Sequence, residues 1–250
     1  MQVALSRWCA WAPGLEDESA WRAFARAPHA PERARRTPAI DFVPAMQRRR
    51  CDAVARMLLH VANGCADLEE LASLPVVLAS RHGPLETTVE LLEHIAEEKP
   101  LSPTGFSHSV HNTALGLFSI WSGNRSASVA LAAGRDTFAH GFIEALALLQ
   151  RTRASEVLYL CVDEVVPESL AALADPSGTA HALALRLARK SGQRAVRLRI
   201  GVGPTAPEPE RAWPDALEFL RWWLGDAEEL EIARGARRFT WSRAAGADCG

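Results

Sequence analysis

Hydrophobic residues along this chain recur with two different periods, and the two periods mark out strands and helices. Alternation of apolar and polar residues over 2–12 predicts a first strand, which Pro13 and Gly14 end. Two largely apolar runs, at 74–79 and 156–163, are typical of strands that a sheet buries on both faces. Apolar residues at helical spacing predict helices over 17–26, 54–65 and 85–95. This order of elements predicts an α/β layer fold with a mixed sheet.

The segment 102–149 combines a predicted buried helix, a short edge-like strand at 126–130, a glycine turn and a second helix. Beyond the strand at 156–163, a polar stretch at 167–178 predicts a loop. Turn residues at 190–193 predict a hairpin that joins strands at 181–187 and 194–200. The last predicted elements are a linker near 201–211, a tryptophan-rich helix at 213–224 and a hairpin at 229–241 around Gly235.

Within the segment 102–149, Phe106, Val110, Asn112 and Ala114 form an F-x-x-x-V-x-N-x-A pattern, and the strand ends in Ala130-Leu131-Ala132-Ala133-Gly134. This arrangement resembles the nucleophile region of β-ketoacyl synthases, in which the strand ends in A-C-x-x-G before a long helix. The resemblance implies a thiolase-like layered fold with a mixed sheet, equivalent to the N-terminal half of a ketosynthase plus a reduced C-terminal portion. We therefore expect a single ketosynthase-like domain over 1–250, with the N-terminal-half homology over 1–165 and the reduced portion over 166–250.

The resemblance places Leu131 where ketosynthases carry their nucleophilic cysteine. A cysteine at a strand-to-helix turn has a lowered pKa because of the helix amides, and its thiolate attacks a thioester. Leucine has no ionisable group, so the resemblance implies that condensing activity is absent. The second half of a ketosynthase also supplies two histidines, whereas this chain has only His181 after residue 167.

His111, Asp136 and His140 are the remaining candidates for acid–base chemistry near this position. Asp136 and His140 are four residues apart and therefore share a helical face. Each candidate also has a structural interpretation. His111 would bond to backbone at the start of a buried helix, and Asp136 would cap the N-terminus of its own helix.

Three further groups have weaker functional interpretations. Ser80 ends a predicted strand, but the G-x-S-x-G pattern of serine hydrolases is absent around it. The carboxylates Asp163 and Glu164 are expected to face solvent where their strand leaves the sheet. The arginines at 48–50 either dock an acidic carrier protein or form a solvated face.

The composition narrows the classes of function. The formal net charge of −2 gives no electrostatic argument for nucleic acid or for an anionic membrane. Five cysteines without a C-x-x-C pair indicate reduced thiols rather than a disulfide framework. We expect no metal site and no cofactor, because no H-E-x-x-H pattern occurs. No secretory signal and no run of about 20 apolar residues is recognised, so a cytoplasmic location is expected.

The missing cysteine favours a non-catalytic ketosynthase-like subunit, by analogy with chain-length factors, which also lack it. The resemblance implies bacterial aryl-polyene, xanthomonadin-type pigment or fatty-acid-type biosynthesis. The implied partners are an active ketosynthase and an acyl carrier protein, in a homo- or heterodimer. The strand at 126–130 would pair across the dimer axis, since an open strand edge invites pairing. The residues expected at the substrate channel or interface are Phe106, Asn112, Ser128 and Gly134.

Two alternatives remain open at this point. One is an enzyme that transfers or hydrolyses carrier-bound acyl groups through His111, Asp136 or His140. The other is a homodimeric scaffold that has no role in acyl binding.

Overall fold

The computed structural model describes residues 2–173, 178–189, 195–205 and 213–244. In these residues one eight-stranded sheet lies between helices on both of its faces, so the predicted α/β layer fold is confirmed. The strands are β1 (Gln2–Trp11), β2 (Val76–Ala79), β3 (Ser128–Leu131), β4 (Glu156–Asp163), β5 (His181–Ala188), β6 (Ala195–Val202), β7 (Glu229–Arg234) and β8 (Arg237–Ala244).

The α-helices of the described residues alternate with these strands. They are α1 (Glu18–Arg26), α2 (Ala45–Arg48), α3 (Ala53–Cys65), α4 (Leu68–Leu71), α5 (Leu85–Ala96), α6 (Pro103–His108), α7 (Thr113–Ser122), α8 (Thr137–Arg151) and α9 (Asp215–Leu224). Short 3₁₀ turns occupy Gly134–Asp136 and Glu168–Leu173.

The sheet is mixed, with the order β3-β2-β4-β5-β1-β6-β8-β7. Strands β3, β2 and β4 are parallel, and the other neighbouring pairs are antiparallel. In the parallel part, Leu78 lies opposite Ala130 on one side and Leu160 on the other. Among the described strands β3 bonds only to β2, so it lies at the edge of the sheet, and its other side offers unpaired backbone groups.

Strand β4 divides the interior into two cores. Val157 and Tyr159 face a core that contains α1, α8 and α9, while Leu158 and Leu160 face a core that contains α3 and α7. Successive strand residues point to opposite faces, and helices cover both faces here. This is why the strand has an almost unbroken apolar sequence.

The predicted hairpin between the strands that became β5 and β6 is wrong. Strand β1 lies between them, and its Ala4 faces Ala188 of β5 and Ala195 of β6. Turn chemistry predicts that the chain reverses, but it does not determine whether a third strand enters between the two arms. The turn residues 190–193 lie outside the described residues. The late hairpin is confirmed, because β7 and β8 pair around Gly235, whose φ is +56°.

The segment between β2 and β3 is much more exposed than its apolar residues predict. Residues 85–113, which we call the arm, contain α5 and α6 and include no buried residue. Phe106 is 64% exposed, and Leu92 and Ile95 are also exposed. The predicted buried helix is present as α7, which Asn112 precedes, but the stretch around Phe106 does not belong to it and is not buried. Burial resumes only at Ala114, in α7, which packs against α3.

Candidate functional site

A cavity of about 90 Å³ lies where the parallel strands β2 and β4 end. Parallel strands present their carboxyl ends at one edge of a sheet, which is where open α/β folds bind ligands. The chain after β2, the end of β4, the turn before α8 and the start of α9 form its walls. The charged and imidazole side chains that line it are Arg81, His82, Arg135, Asp163, Glu164, His181, Asp215 and Arg234.

Asp163 organises the loop that follows β2. Its Oδ1 atom accepts hydrogen bonds from the Ser80 hydroxyl at 2.9 Å, from the Arg81 amide at 2.8 Å and from the His82 amide at 3.2 Å. The Ser80 hydroxyl in turn accepts the Gly83 amide at 2.9 Å. The expectation that this carboxylate faces solvent is therefore wrong. Ser80 is fully buried and bonded within the loop, which gives its hydroxyl a structural role.

His82 titrates in the same loop. Burial lowers the pKa of its imidazole, and the nearby Asp163 carboxylate offsets part of that effect. Burial disfavours the charged imidazolium, whereas a neighbouring negative charge favours it. The neutral form of His82 is thus favoured at the cavity wall.

Asp136 belongs to a second charged network beside the cavity. Its carboxylate is 4% exposed and pairs with Arg237 at 2.5 Å, while the Nε atom of Arg234 lies 4.0 Å away. Arg234 also binds Asp215 at 2.9 Å. Asp136 does occupy the N-cap position of α8, but its side chain makes no capping hydrogen bond. The arginines of the late hairpin, and not the helix amides, therefore hold this carboxylate.

The two candidate histidines bond to backbone carbonyls. The Nε2 atom of His111 lies 2.7 Å from the Ser80 carbonyl oxygen, which agrees with its structural interpretation. The Nδ1 atom of His140 lies 3.1 Å from the main-chain oxygen of Asp136, and its ring packs against Phe239. Among the described residues no hydrogen bond or ion pair joins the Asp136 carboxylate to either imidazole.

Leu131 is the last residue of β3, and its half-buried side chain packs against the core shared by α1, α8 and α9. Gly134 follows with φ of +58° and lines the cavity. Phe106, Asn112 and Ser128 are exposed and do not line this cavity. Of these residues, Gly134 lines the cavity, Leu131 packs against the core, and the other three are exposed.

Several residues of the site carry no local sequence signal. Arg234, Arg237 and Asp215 lie about 80 to 100 positions after Asp136 in the chain, and only the placement of β7, β8 and α9 brings them into this network. His181 is buried at the start of β5, where its Nδ1 atom lies 2.9 Å from the Thr179 carbonyl oxygen. No spacing pattern in the sequence relates these residues.

The described cysteines are poor nucleophiles. Burial raises the pKa of the Cys9 thiol to about 11 and that of Cys65 to about 12. The pKa of Cys51 is also raised by burial, and that of Cys161, in the cavity wall, lies well above its usual value for the same reason. Since the thiolate is the reactive form, these environments disfavour attack on a thioester. Cys249 lies outside the described residues.

The described residues contain no group of three or more His, Cys, Asp or Glu side chains arranged to hold a metal ion. None of their helices is long and apolar enough to cross a membrane.

Comparison with known proteins gave one family and a set of similar structures. The family model described as "Beta-ketoacyl synthase, N-terminal domain" matches residues 21–242. A chain in the complex of the ketosynthase ApeO with its chain length factor ApeC, from Xenorhabdus doucetiae, is 27% identical with a TM-score of 0.84. That match covers 97% of this chain and 100% of the other. A search of curated proteins found no match.

Two less similar structures share the fold. The ishigamide ketosynthase/chain length factor is 17% identical with a TM-score of 0.62, and the match covers 80% of this chain and 68% of the other. AntDE:AntF, a type II PKS acyl-carrier protein in complex with its ketosynthase bound to the hexaketide, is 13% identical with a TM-score of 0.63. That match covers 81% of this chain and 70% of the other.

Proposed function

The chain belongs to the family of the beta-ketoacyl synthase N-terminal domain, and on that premise we propose that it is a non-catalytic subunit that pairs with an active ketosynthase. Its role would match that of a chain length factor in a cytoplasmic pathway of the aryl-polyene or polyketide type. An acyl carrier protein would deliver the growing chain to the pair. The proposal covers residues 1–250 as one ketosynthase-like domain.

The observation that carries the proposal is Leu131 at the end of β3. In the aligned pattern this position holds the nucleophile, and here it holds an alkyl side chain packed against the core. The described cysteines offer no substitute, because burial raises the pKa of each thiol. The bonding of His111 and His140 to backbone carbonyls gives little support to the alternative of an acyl-transfer or hydrolytic enzyme.

Two exposed features support pairing with a partner. Strand β3 has an open side, and an open strand edge is a template for strand addition. The arm adds exposed apolar side chains, among them Leu92, Ile95 and Phe106. Contiguous exposed apolar surface on a soluble domain marks interaction sites. The similar chain from Xenorhabdus doucetiae comes from a complex of a ketosynthase with its chain length factor.

The test of pairing is co-expression with a ketosynthase from the same source, followed by size-exclusion chromatography with mass measurement. The variant Ser128→Pro removes an amide that points away from β2, since the neighbouring Ala127 and Leu131 carbonyls bond toward β2. We expect this variant to fold and to lose the complex. The matched control Ser128→Ala retains the amide and should retain the complex. A homodimer alone, or a complex unaffected by Ser128→Pro, would contradict the proposal.

The test of the non-catalytic role is Leu131→Cys, with condensation of a carrier-bound acyl group as the assay. Restoring the thiol should recover little activity, because a ketosynthase also uses two histidines of its second half, and residues 168–250 contain only His181. Robust condensation by Leu131→Cys in the absence of any partner would overturn the proposal.

A further inference from the structure

The arm has few ties to the rest of the fold. It contains no buried residue from Leu85 through Thr113, so hydrophobic burial contributes little to its position. Its start is joined to the body by the Arg35–Glu86 ion pair at 2.8 Å. Its end is joined by the contact of His111 with the Ser80 carbonyl at 2.7 Å. A segment held by so few contacts opens at a low cost in free energy, so the loss of any one of these contacts should change the opening equilibrium markedly.

Glu164 provides a further contact with the body at the start of α5. The helix follows Pro84, which makes no side-chain capping bond. Instead the Oε1 atom of Glu164, just beyond β4, accepts the amide of Glu86 at 2.8 Å. An acceptor oxygen at a helix N-terminus satisfies an amide that has no partner within the helix. Here the capping side chain lies 78 positions along the chain from the amide it binds.

We infer that Glu164 positions the arm as the remote cap of α5, and that ionisation of this carboxyl loosens the arm. The carboxyl lies between the cavity at the strand ends and a second cavity of about 110 Å³ beside α3. Its side chain is half-buried, so the carboxyl is less well solvated than one on the protein surface. The effect on partner binding rests on the proposed function, whereas the positioning itself does not.

The charges around Glu164 determine the direction of its pH response. Burial raises its pKa to about 7, with smaller contributions in the same direction from the Asp52 and Glu86 carboxylates. The amides of Glu86 and Leu85 oppose the rise. Of the nearby cations, Arg35 pairs with Glu86, and Arg36 pairs with Glu16 and Glu32. On the other side, Arg81, His82 and Asp163 line the first cavity together with Glu164.

The direction in which pH changes the opening of the arm follows from the difference between the Glu164 pKa in the closed and open states. The protonated carboxyl still offers an oxygen to the Glu86 amide and avoids the cost of a buried charge. When the arm opens, water solvates Glu164 and its pKa returns toward the ordinary value. Opening therefore becomes more favourable as the pH rises from about 5 to 7. The expected increase in the opening equilibrium lies between about 10-fold and 100-fold.

Hydrogen exchange measured by mass spectrometry on the isolated chain tests the inference, with rates corrected for intrinsic exchange between pH 5 and pH 8. In the parent protein, protection of peptides from the arm should fall as the pH rises through this range. In Glu164→Gln, which keeps the acceptor oxygen without a charge, protection should stay high and independent of pH. In Glu164→Ala, arm peptides should exchange at least 10-fold faster at pH 6. Peptides from β4 and β5 should not change in any variant.

The control for removal of a carboxylate from this region is Glu90→Ala, an exposed position on α5. Equal protection of the arm in Glu164→Ala and in the parent would overturn the inference, as would a parent profile that does not change with pH. The same variants are then titrated with the ketosynthase. If the arm exchanges faster in Glu164→Ala but the complex still forms, the result would support Glu164 as the cap of α5 and contradict only the role of the arm in pairing.

Discussion

Gly141 is the position where a single added methyl group should be most informative. It lies in α8, at the point where this helix crosses β2 and β4. A Cβ atom at residue 141 would lie 2.6 Å from the Cβ of Ala79 and 2.7 and 2.8 Å from the Cε2 and hydroxyl oxygen of Tyr159. These distances are well below van der Waals contact, so the absence of a side chain permits the close approach of helix and sheet.

Two opposing terms determine the effect of Gly141→Ala. Alanine favours a helix over glycine by about 1 kcal/mol. Overpacking a core costs about 1–3 kcal/mol, and the neighbours here have little freedom to move. Ala79 is part of a strand that is paired on both sides, and the Tyr159 hydroxyl donates a hydrogen bond to the Phe138 carbonyl at 2.7 Å. Because three contacts fall below 3.0 Å, the overpacking cost belongs at the upper end, about 2–3 kcal/mol, and the expected net loss in the free energy of unfolding is about 1–2 kcal/mol.

The control is the same substitution at Gly116, in the exposed part of α7. A Cβ atom there meets nothing within 4 Å, so only the helix preference remains. Gly116→Ala should gain about 0.5–1 kcal/mol. The opposite signs separate packing from backbone preference within one protein.

Urea denaturation followed by tryptophan fluorescence and by circular dichroism measures both variants. The midpoint should move down for Gly141→Ala and up for Gly116→Ala, with the slope unchanged. If Gly141→Ala were as stable as the parent while Gly116→Ala behaved as expected, the packing of α8 on the sheet described above would be incorrect.

Three other predictions concern the polar contacts. Asp163→Ala removes the acceptor of three hydrogen bonds and should lower the free energy of unfolding by about 3 kcal/mol, whereas Asp163→Asn keeps an acceptor and should lower it by about 1 kcal/mol. Equal losses for the two variants in urea denaturation would contradict this prediction. The side-chain Nδ2 of Asn124 donates to the Leu74 carbonyl at 2.8 Å, and its Oδ1 accepts the backbone amide of Ser126 at 2.8 Å. Asn124→Ala should therefore lower the free energy of unfolding by about 2–4 kcal/mol and speed hydrogen exchange in β3. Because the pKa of Glu164 is raised to about 7 in the folded protein, its carboxyl contributes stability that is fully present below about pH 4.5 and is lost as the pH rises through 7. Relative to Glu164→Gln, the parent should lose about 2 kcal/mol in the free energy of unfolding over that range, and parallel pH profiles of the two proteins would refute this.

Local pattern was sufficient to predict most of the elements and one feature of the site. The alternating and unbroken apolar runs predicted β1, β2 and β4, because one or two buried faces leave a direct trace in the sequence. The glycine turn after Leu131 was predictable because its pattern lies within a few residues of chain, and its Gly134 lines the cavity. The helix at 17–26 and the hairpin around Gly235 were predictable for the same reason.

Tertiary structure determined which strands lie beside each other and which distant side chains bond. Nothing local indicates that β1 enters between β5 and β6, or that Asp163 binds the loop after β2 across about 80 positions of chain. The exposure of the arm is likewise invisible in its sequence, because apolar residues at helical spacing predict a buried face whether this chain or a partner covers it. Apolar periodicity predicts that one face of a helix packs against something. Only the folded arrangement of strands and helices shows which element packs there, because those contacts join residues that are far apart in the sequence.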